Sequence, residues 1–308
     1  MISIVIPFFN RIAYVKRAVL SVINQSYTDW EIILVDDCSL EKLNIHDFVQ
    51  PEHYDKVRLI TNKQNLGPGL SRQAGLNMAI GEYVCFLDSD DFYHRDFLLR
   101  TLNKLLLSPE SAGVFCTTVS TKGGINRGSD QTASNIMPNL FLRNRPWSTS
   151  SWLWRKSEIS EWKQLRTNED WMFEIDTASI NNSIVHIAEP LCIKDDDTGE
   201  NTKDLVDYKT PEIHRDTVAK YALNKLNSYS NHQFYDRIKK AVIKRLVFTS
   251  SRLILLKEER EVRKNGLLII RHNLPLALLL LLLSVTTFNS ISIAGFYKRL
   301  LNRIHNVL

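Results

Sequence analysis

The stretch Tyr83-Val-Cys-Phe-Leu-Asp-Ser-Asp-Asp91 decides the fold. Its first five residues are apolar and bounded by Gly81 on one side and aspartates on the other, so they read as a buried strand. Asp88, Asp90 and Asp91 then follow at once. Clustered carboxylates repel one another, so stability alone disfavours them at the end of a buried strand. A hard divalent cation reverses that cost, because oxygen ligands suit magnesium or manganese.

Working outward, Ile2-Ser-Ile-Val-Ile6 reads as another buried strand, followed by Asn10 as cap of a helix through Ile12, Val15, Val19, Val22 and Ile23. Glu31–Val35 and Val57–Ile60 read as the next strands. Gly67-Pro68-Gly69 opens a helix through Leu70, Ala74, Leu76, Met78 and Ile80. Strand and helix alternate, and the strands are almost continuously apolar. This predicts an α/β fold, a mostly parallel central sheet with helices on both faces. Ligands of such sheets sit at the carboxyl ends of strands. Three ends stand out: Pro7-Phe8-Phe9-Asn10, Asp36-Asp37-Cys38-Ser39 and Asp88–Asp91.

Asp36 and Asp37 could accept bonds from a sugar hydroxyl or a base N–H. Turn or cap aspartates are the alternative, most readily for Asp91. A Gly-rich turn entering a helix can offer N–H groups to phosphate, but G-x-G-x-x-G is absent, since Arg72 stands where the third Gly belongs. Arg72 itself pairs with a phosphate or lies on a helix surface. Further on, Arg95–Leu107 reads as a helix and Gly113–Val119 as a strand. Residues 120–150, rich in Gly, Ser, Thr and Asn, read as a long loop or lid.

The 308 residues carry a net charge of +5, which averages unequal parts. Residues 1–210 sum to −6 and residues 211–308 to +11. The apolar and charged fractions exclude a disordered or collagen-like chain. Cys38, Cys85, Cys116 and Cys192 form no C-x-x-C pair, which predicts reduced, mostly buried thiols. The N-terminal apolar stretch lacks a basic n-region and a cleavage site, so the body is expected in the cytoplasm. After Pro211 the chain reads as helical and basic. Asn273–Tyr297 holds 25 uncharged residues, interrupted by Pro275 and flanked by basic clusters on both sides. A peripheral, monotopic or re-entrant segment on the inner face of the cell membrane, through residues of about 260–308, is expected; a buried core helix is the alternative. A basic segment coupled to a leucine run suits lipid better than nucleic acid.

These motifs, in this order, resemble the family-2 inverting glycosyltransferases of GT-A fold. The family's I-P-x-[FY]-N start is matched by Ile6–Asn10, its Q-[ST]-[FYL] by Gln25-Ser26-Tyr27, and its V-D-D-G-S by Val35–Ser39. Its N-x-G-x-x-x-A-R-N-x-G is matched in altered form by Asn65–Gly75, its D-x-D-D by Asp88–Asp91, and its E-D pair by Glu169-Asp170. The resemblance implies a nucleotide-sugar-binding half at residues 1–92, an acceptor-binding half at 93–210 and a C-terminal helical region at 211–308. It assigns Pro7, Phe9, Asn10, Asp37, Arg72 and Asp88 to the nucleotide-sugar, with Asp37 on the base and Asp88 on the ribose. Asp90, assisted by Asp91, would hold the metal. Asp170 would be the general base, flanked by Glu169 and Trp171; the same acidic pair also suits the start of a helix. Cys38 departs from the usual Gly, and Ser71 and Gln73 from the usual Ala and Asn. No Q-x-x-R-W follows the E-D pair, which implies single addition. The implied reaction is metal-dependent transfer of one sugar, from a UDP-sugar, to a lipid-linked glycan in O-antigen or capsule synthesis. A nucleotidyltransferase and a non-catalytic membrane-associated scaffold with a degenerate transferase domain remain as alternatives.

Overall fold

In the computed structural model, which describes residues 1–127, 133–143, 145–165, 168–196, 210–255 and 258–269, the run Ile2–Phe8 is strand β1 and every residue in it is buried. Helix α1 (Ile12–Ile23) turns Val15, Ala18, Val19 and Val22 to the core. Strands β2 (Trp30–Asp36) and β3 (Val57–Thr61), helix α2 (Pro68–Met78) and strand β4 (Tyr83–Phe86) complete the alternation expected from the sequence. β2 pairs in parallel with β1 and β3, and β1 pairs in parallel with β4. These central strands are covered on both faces, which is why they are continuously apolar.

The chain continues through β5 (Asp91–Tyr93), α3 (Phe97–Leu106), β6 (Gly113–Ser120), β7 (Ile125–Arg127) and the short α4 (Asn139–Leu142). Then come β8 (Trp152–Arg155), α5 (Glu169–Ile180) and β9 (Ile184–Lys194). All strands join one 9-stranded sheet in the order β3-β2-β1-β4-β8-β6-β9-β5, with β7 added on β6. β8 inserts antiparallel between β4 and β6, whereas β9 runs parallel to β6. The expected halves at residues 1–92 and 93–210 thus share a continuous sheet.

Two local expectations change. Asn10 does not cap α1: Arg11 holds the cap position in a left-handed conformation (φ 59), without a side-chain cap bond. Asn10 instead donates its N–H to Ser39 Oγ (2.7 Å) and accepts from the Leu40 N–H (3.1 Å), tying the loop after β1 to the loop after β2. The stretch 120–150 is not simply a lid, because Ile136, Met137, Leu140 and Trp147 are fully buried within it. Trp147 packs edge-on to Trp152, which stacks on Trp154 at 4.1 Å. The Gln25-Ser26 motif proves to be a bracket. Gln25 donates to the His94 carbonyl (2.8 Å) and accepts from the Leu98 N–H (2.9 Å), and Ser26 N–H donates to the Arg95 carbonyl (2.9 Å).

Helix α2 lies close on the sheet because Gly75 faces it. A Cβ there would stand 2.3 Å from Val5 Cγ1, so only glycine fits. The four cysteines are free thiols, with Cys85, Cys116 and Cys192 buried as expected.

The chain divides into two compact units, Met1–Glu200 and Asn201–Leu308. The second contains α6 (Thr210–Asn224), α7 (Tyr235–Leu255) and α8 (Glu259–Ile269), in line with the helical reading after Pro211. Asp216, 2% exposed, ties the three helices together. It accepts from Thr249 Oγ1 (3.2 Å) and Asn265 Nδ2 (2.6 Å) and pairs with Lys220 (2.6 Å). Among the described residues no helix is long and apolar enough to cross a membrane. The apolar segment 273–297 lies outside the described residues.

Candidate active site at the strand ends

Parallel pairing brings the carboxyl ends of β1, β2 and β4 to one edge of the sheet, where ligands of such sheets bind. Pro7 is buried in β1, and Phe9, just beyond it, is 45% exposed. Asp36 is a turn aspartate, accepting from the Ser39 N–H (2.8 Å). Asp37 builds the neighbouring wall. Its Oδ1 accepts from Asn62 Nδ2 and the Leu66 N–H, and its Oδ2 from the Gly67 N–H, each at 2.8 Å. Gly67 adopts φ 84, a left-handed value that a side chain would strain, and from it the chain enters α2. Asp37 therefore shapes the loop that delivers Arg72.

Arg72 is not a surface residue. It is 4% exposed, and its guanidinium lies 4.7 Å from the Trp162 ring. Nη2 donates to Asp88 Oδ1 (2.5 Å) and Nη1 to Glu169 Oε1 (2.8 Å). Burial pulls its pKa down, but Asp88 and Glu169 together outweigh that and raise it. One arginine thus joins the acidic end of β4 to the head of α5.

At that acidic end, Asp88 is 34% exposed and Asp90 23% at their side chains. Asp90 Oδ2 accepts from Arg11 Nη1 (3.1 Å). Asp91 is only 4% exposed and starts β5; its Oδ2 accepts from Ser150 Oγ (2.5 Å), and that same oxygen of Ser150 receives the Asp88 N–H (3.1 Å). Burial, then the charge of Asp88, raises the Asp90 carboxyl above the usual range, against Arg11 and Lys194. Burial, then Asp88 and Asp90, raises Asp91 much further. A hard cation would relieve such crowding, although among the described residues no three carboxylate, His or Cys side chains converge as a ready metal cluster. Asp90, with Asp88 beside it, keeps carboxylate surface for such an ion. Asp91, expected to assist, faces Ser150 in the interior.

The opposite side of the site is built by α5. Asn168 enters it in a left-handed conformation (φ 62) with no side-chain cap, and Glu169 and Asp170 occupy the first turn. Glu169 is buried against Arg72. Burial, then the charge of Asp170, pushes its carboxyl up to about 7, while Arg72 pulls it down. Asp170 is 20% exposed, and its Oδ2 pairs with Arg145 Nη1 at 2.8 Å. Arg145 is 6% exposed and left-handed (φ 54). Its Nε donates to both Glu174 oxygens (3.0 and 3.1 Å), and its Nη2 to Glu174 Oε1 (2.7 Å) and Thr149 Oγ1 (3.1 Å). Asp170 is therefore fixed in orientation with its carboxylate still reachable from solvent. Trp171 packs on Phe141, with ring centroids 5.5 Å apart.

Sequence reasoning missed Arg145 and Ser150. A signal for Arg145 did exist: Asp170 and Glu174 are four residues apart, hence on one helix face, and two carboxylates there call for a cation. Ser150 offered none, being one serine in a run of them.

The description "Glycosyl transferase family 2" belongs to the family model that matches residues 3–168. A Haemophilus influenzae protein described as an uncharacterized glycosyltransferase is 40% identical over 108 residues, which is 34% of this chain and 42% of that protein. The putative teichuronic acid biosynthesis glycosyltransferase TuaG of Bacillus subtilis is 34% identical over 110 residues, again 34% of this chain and 42% of that protein. In both cases the match spans less than half of the relative. Among solved structures, S. aureus TarS 1–349 in complex with UDP-GlcNAc superposes with a TM-score of 0.64 at 16% identity, covering 92% of this chain and 90% of that one. At that identity the likeness speaks for the fold, a mixed sheet flanked by helices as in GT-A glycosyltransferases.

Proposed function

The chain belongs to glycosyl transferase family 2, and from that premise we propose that it transfers one sugar, with inversion, from a UDP-sugar to a hydroxyl of a lipid-linked glycan. The observation that carries this reading is Asp170, a partly exposed carboxylate held by a buried arginine at the head of α5. Arg72 links that helix to Asp88 at the donor end of the sheet. One carboxylate is what an inverting displacement needs. Asp170 takes the proton of the acceptor hydroxyl as that oxygen attacks the anomeric carbon, and the bond to the diphosphate breaks on the opposite face. Asp37 and the loop it shapes border the base, Phe9 and Asn10 flank it, and Asp88 meets the ribose. Asp90, with Asp88 beside it, would hold a magnesium or manganese ion, which when bound neutralises charge on the departing diphosphate. Arg145 positions Asp170.

The UDP-GlcNAc complex of TarS supports UDP as the nucleotide, and TuaG, named for teichuronic acid biosynthesis, supports a role in polysaccharide synthesis. The net charge of +11 beyond residue 210, with its leucine run, supports work at the inner membrane face.

The test is transfer from UDP-sugars to a lipid-linked acceptor, with and without EDTA. Asp170→Asn should lose transfer while still binding UDP, Asp90→Ala should lose the metal response, and the product should carry the inverted anomeric configuration. Full activity in both variants would overturn the assignments.

A further inference from the structure

The arginines around the acidic strand end are all engaged by the protein. Arg72 pairs with Asp88 and Glu169, and Arg11 with Asp90. Arg17 pairs with Asp195 (2.5 Å) and donates to the Asp90 carbonyl (2.9 Å). Lys194 differs. It is the last residue of β9 and stands directly opposite Asp91 in the antiparallel β5–β9 pair. Directly opposed residues project to the same face, with Cβ atoms about 4.5–5.5 Å apart. Because β9 runs parallel to β6, and β6 runs with β4, Lys194 ends at the same edge of the sheet as Asp88 and Asp90.

The Lys194 side chain is half-buried, and among the described residues its ammonium makes no hydrogen bond or close ion pair. Its field nonetheless reaches the cluster: burial and the neighbouring aspartates raise the Asp90 and Asp91 carboxyls, and Lys194 opposes that rise at both. An ammonium with three donors and no acceptor among the described residues can take an anion that reaches this edge. Lysine serves phosphate as a compact point charge.

We propose that Lys194 binds the diphosphate of the donor, carrying negative charge on the leaving group from the β9 side of the site. This rests on the transferase reading given above. The ammonium supplies donors to phosphate oxygens in the bound donor and keeps them as charge accumulates when the glycosidic bond breaks.

Calorimetric titration of the full chain with UDP, UMP and uridine, in EDTA, tests it. Lys194→Ala should weaken UDP about tenfold, equivalent to about 1.4 kcal/mol, and leave uridine unchanged, while Lys194→Arg should restore most of the loss. Equal UDP binding in wild type and Lys194→Ala, or a proportional loss of UDP and uridine, overturns the proposal. Amine footprinting of the wild-type chain needs no variant: UDP, but not uridine, should shield Lys194 from acetylation, and equal acetylation with and without UDP also overturns it. If the wild-type chain binds none of UDP, GDP or dTDP even with magnesium or manganese present, the transferase reading falls together with this one. If it binds UDP and only Lys194 proves indifferent, this proposal alone falls.

Discussion

Glu169→Gln keeps an oxygen within reach of Arg72 but removes a buried charge. In the unfolded chain this carboxyl titrates near 4.5; in the folded protein burial and the charge of Asp170 push it up to about 7. Between those pH values the folded state holds up to one proton more than the unfolded state. Its contribution to stability is therefore full below pH 4.5, falls as pH rises, and is lost above pH 7. At about 1.4 kcal/mol per pKa unit the whole fall is about 3 kcal/mol, of which about 2.5 kcal/mol lies between pH 5 and 8. Glu169 is 7% exposed, so solvent screening takes little from that figure. The assay is urea unfolding at pH 5, 6, 7 and 8, followed by tryptophan fluorescence. All six tryptophans lie in the first unit, so the signal reports that unit alone. The raised carboxyls of Asp90, Asp91 and Glu174 act with the same sign in both proteins and cancel in the difference. Relative to wild type, the variant should gain about 2.5 kcal/mol from pH 5 to pH 8. Parallel pH profiles would refute the picture of a high-pKa carboxyl beneath Arg72.

Arg145→Ala strands Glu174 and Asp170 and should cost about 3–5 kcal/mol of stability in urea unfolding; Arg145→Lys, which lacks the planar fork, should lower kcat while UDP binding stays unchanged. Asp37→Asn, read by thermal unfolding, should cost roughly 2–3 kcal/mol, because an amide cannot accept at both the Oδ1 and Oδ2 positions that now receive N–H groups. Maleimide should label Cys38 alone in the native chain, since the other three thiols are buried and burial raises their pKa. UDP should slow that labelling, as read by mass spectrometry; labelling of Cys85, or an unchanged rate at Cys38, would contradict the pocket.

The part of the fold that was legible is the part buried on both faces. Ile2–Phe8, Trp30–Asp36 and Tyr83–Phe86 show themselves as apolar runs because helices cover both sides of the sheet. β9 did not show itself. Its eleven residues alternate irregularly between buried and exposed, with register shifts against β6 near Pro190. β8 is four residues with three large side chains, which length and periodicity do not mark as a strand. β5 is three residues whose pairing with β9 is set by tertiary contacts. In the site, the aspartates were legible because three charges after a buried strand contradict stability. Their partners were not. Arg72 looked equally like a surface residue, and only folding brings Glu169 to it across 97 positions. Asn10 showed the opposite failure: local capping rules favoured it, and a loop contact across 29 positions claimed it instead.

β4 and β6 never touch; β8 closes the gap between them. During synthesis the edge of β4 is made first and its cover last. About 65 residues separate Phe86 from Trp152, which at roughly 5–20 residues per second is roughly 3–13 s of translation. Throughout that interval a chain emerging from the ribosome carries a bare, apolar edge that can template pairing with a neighbouring nascent chain. A truncation before Trp152 leaves that edge open permanently, whereas one after Arg155 contains the strand that seals it. The four residues of β8 therefore set the shortest length at which the free edge of β4 is covered.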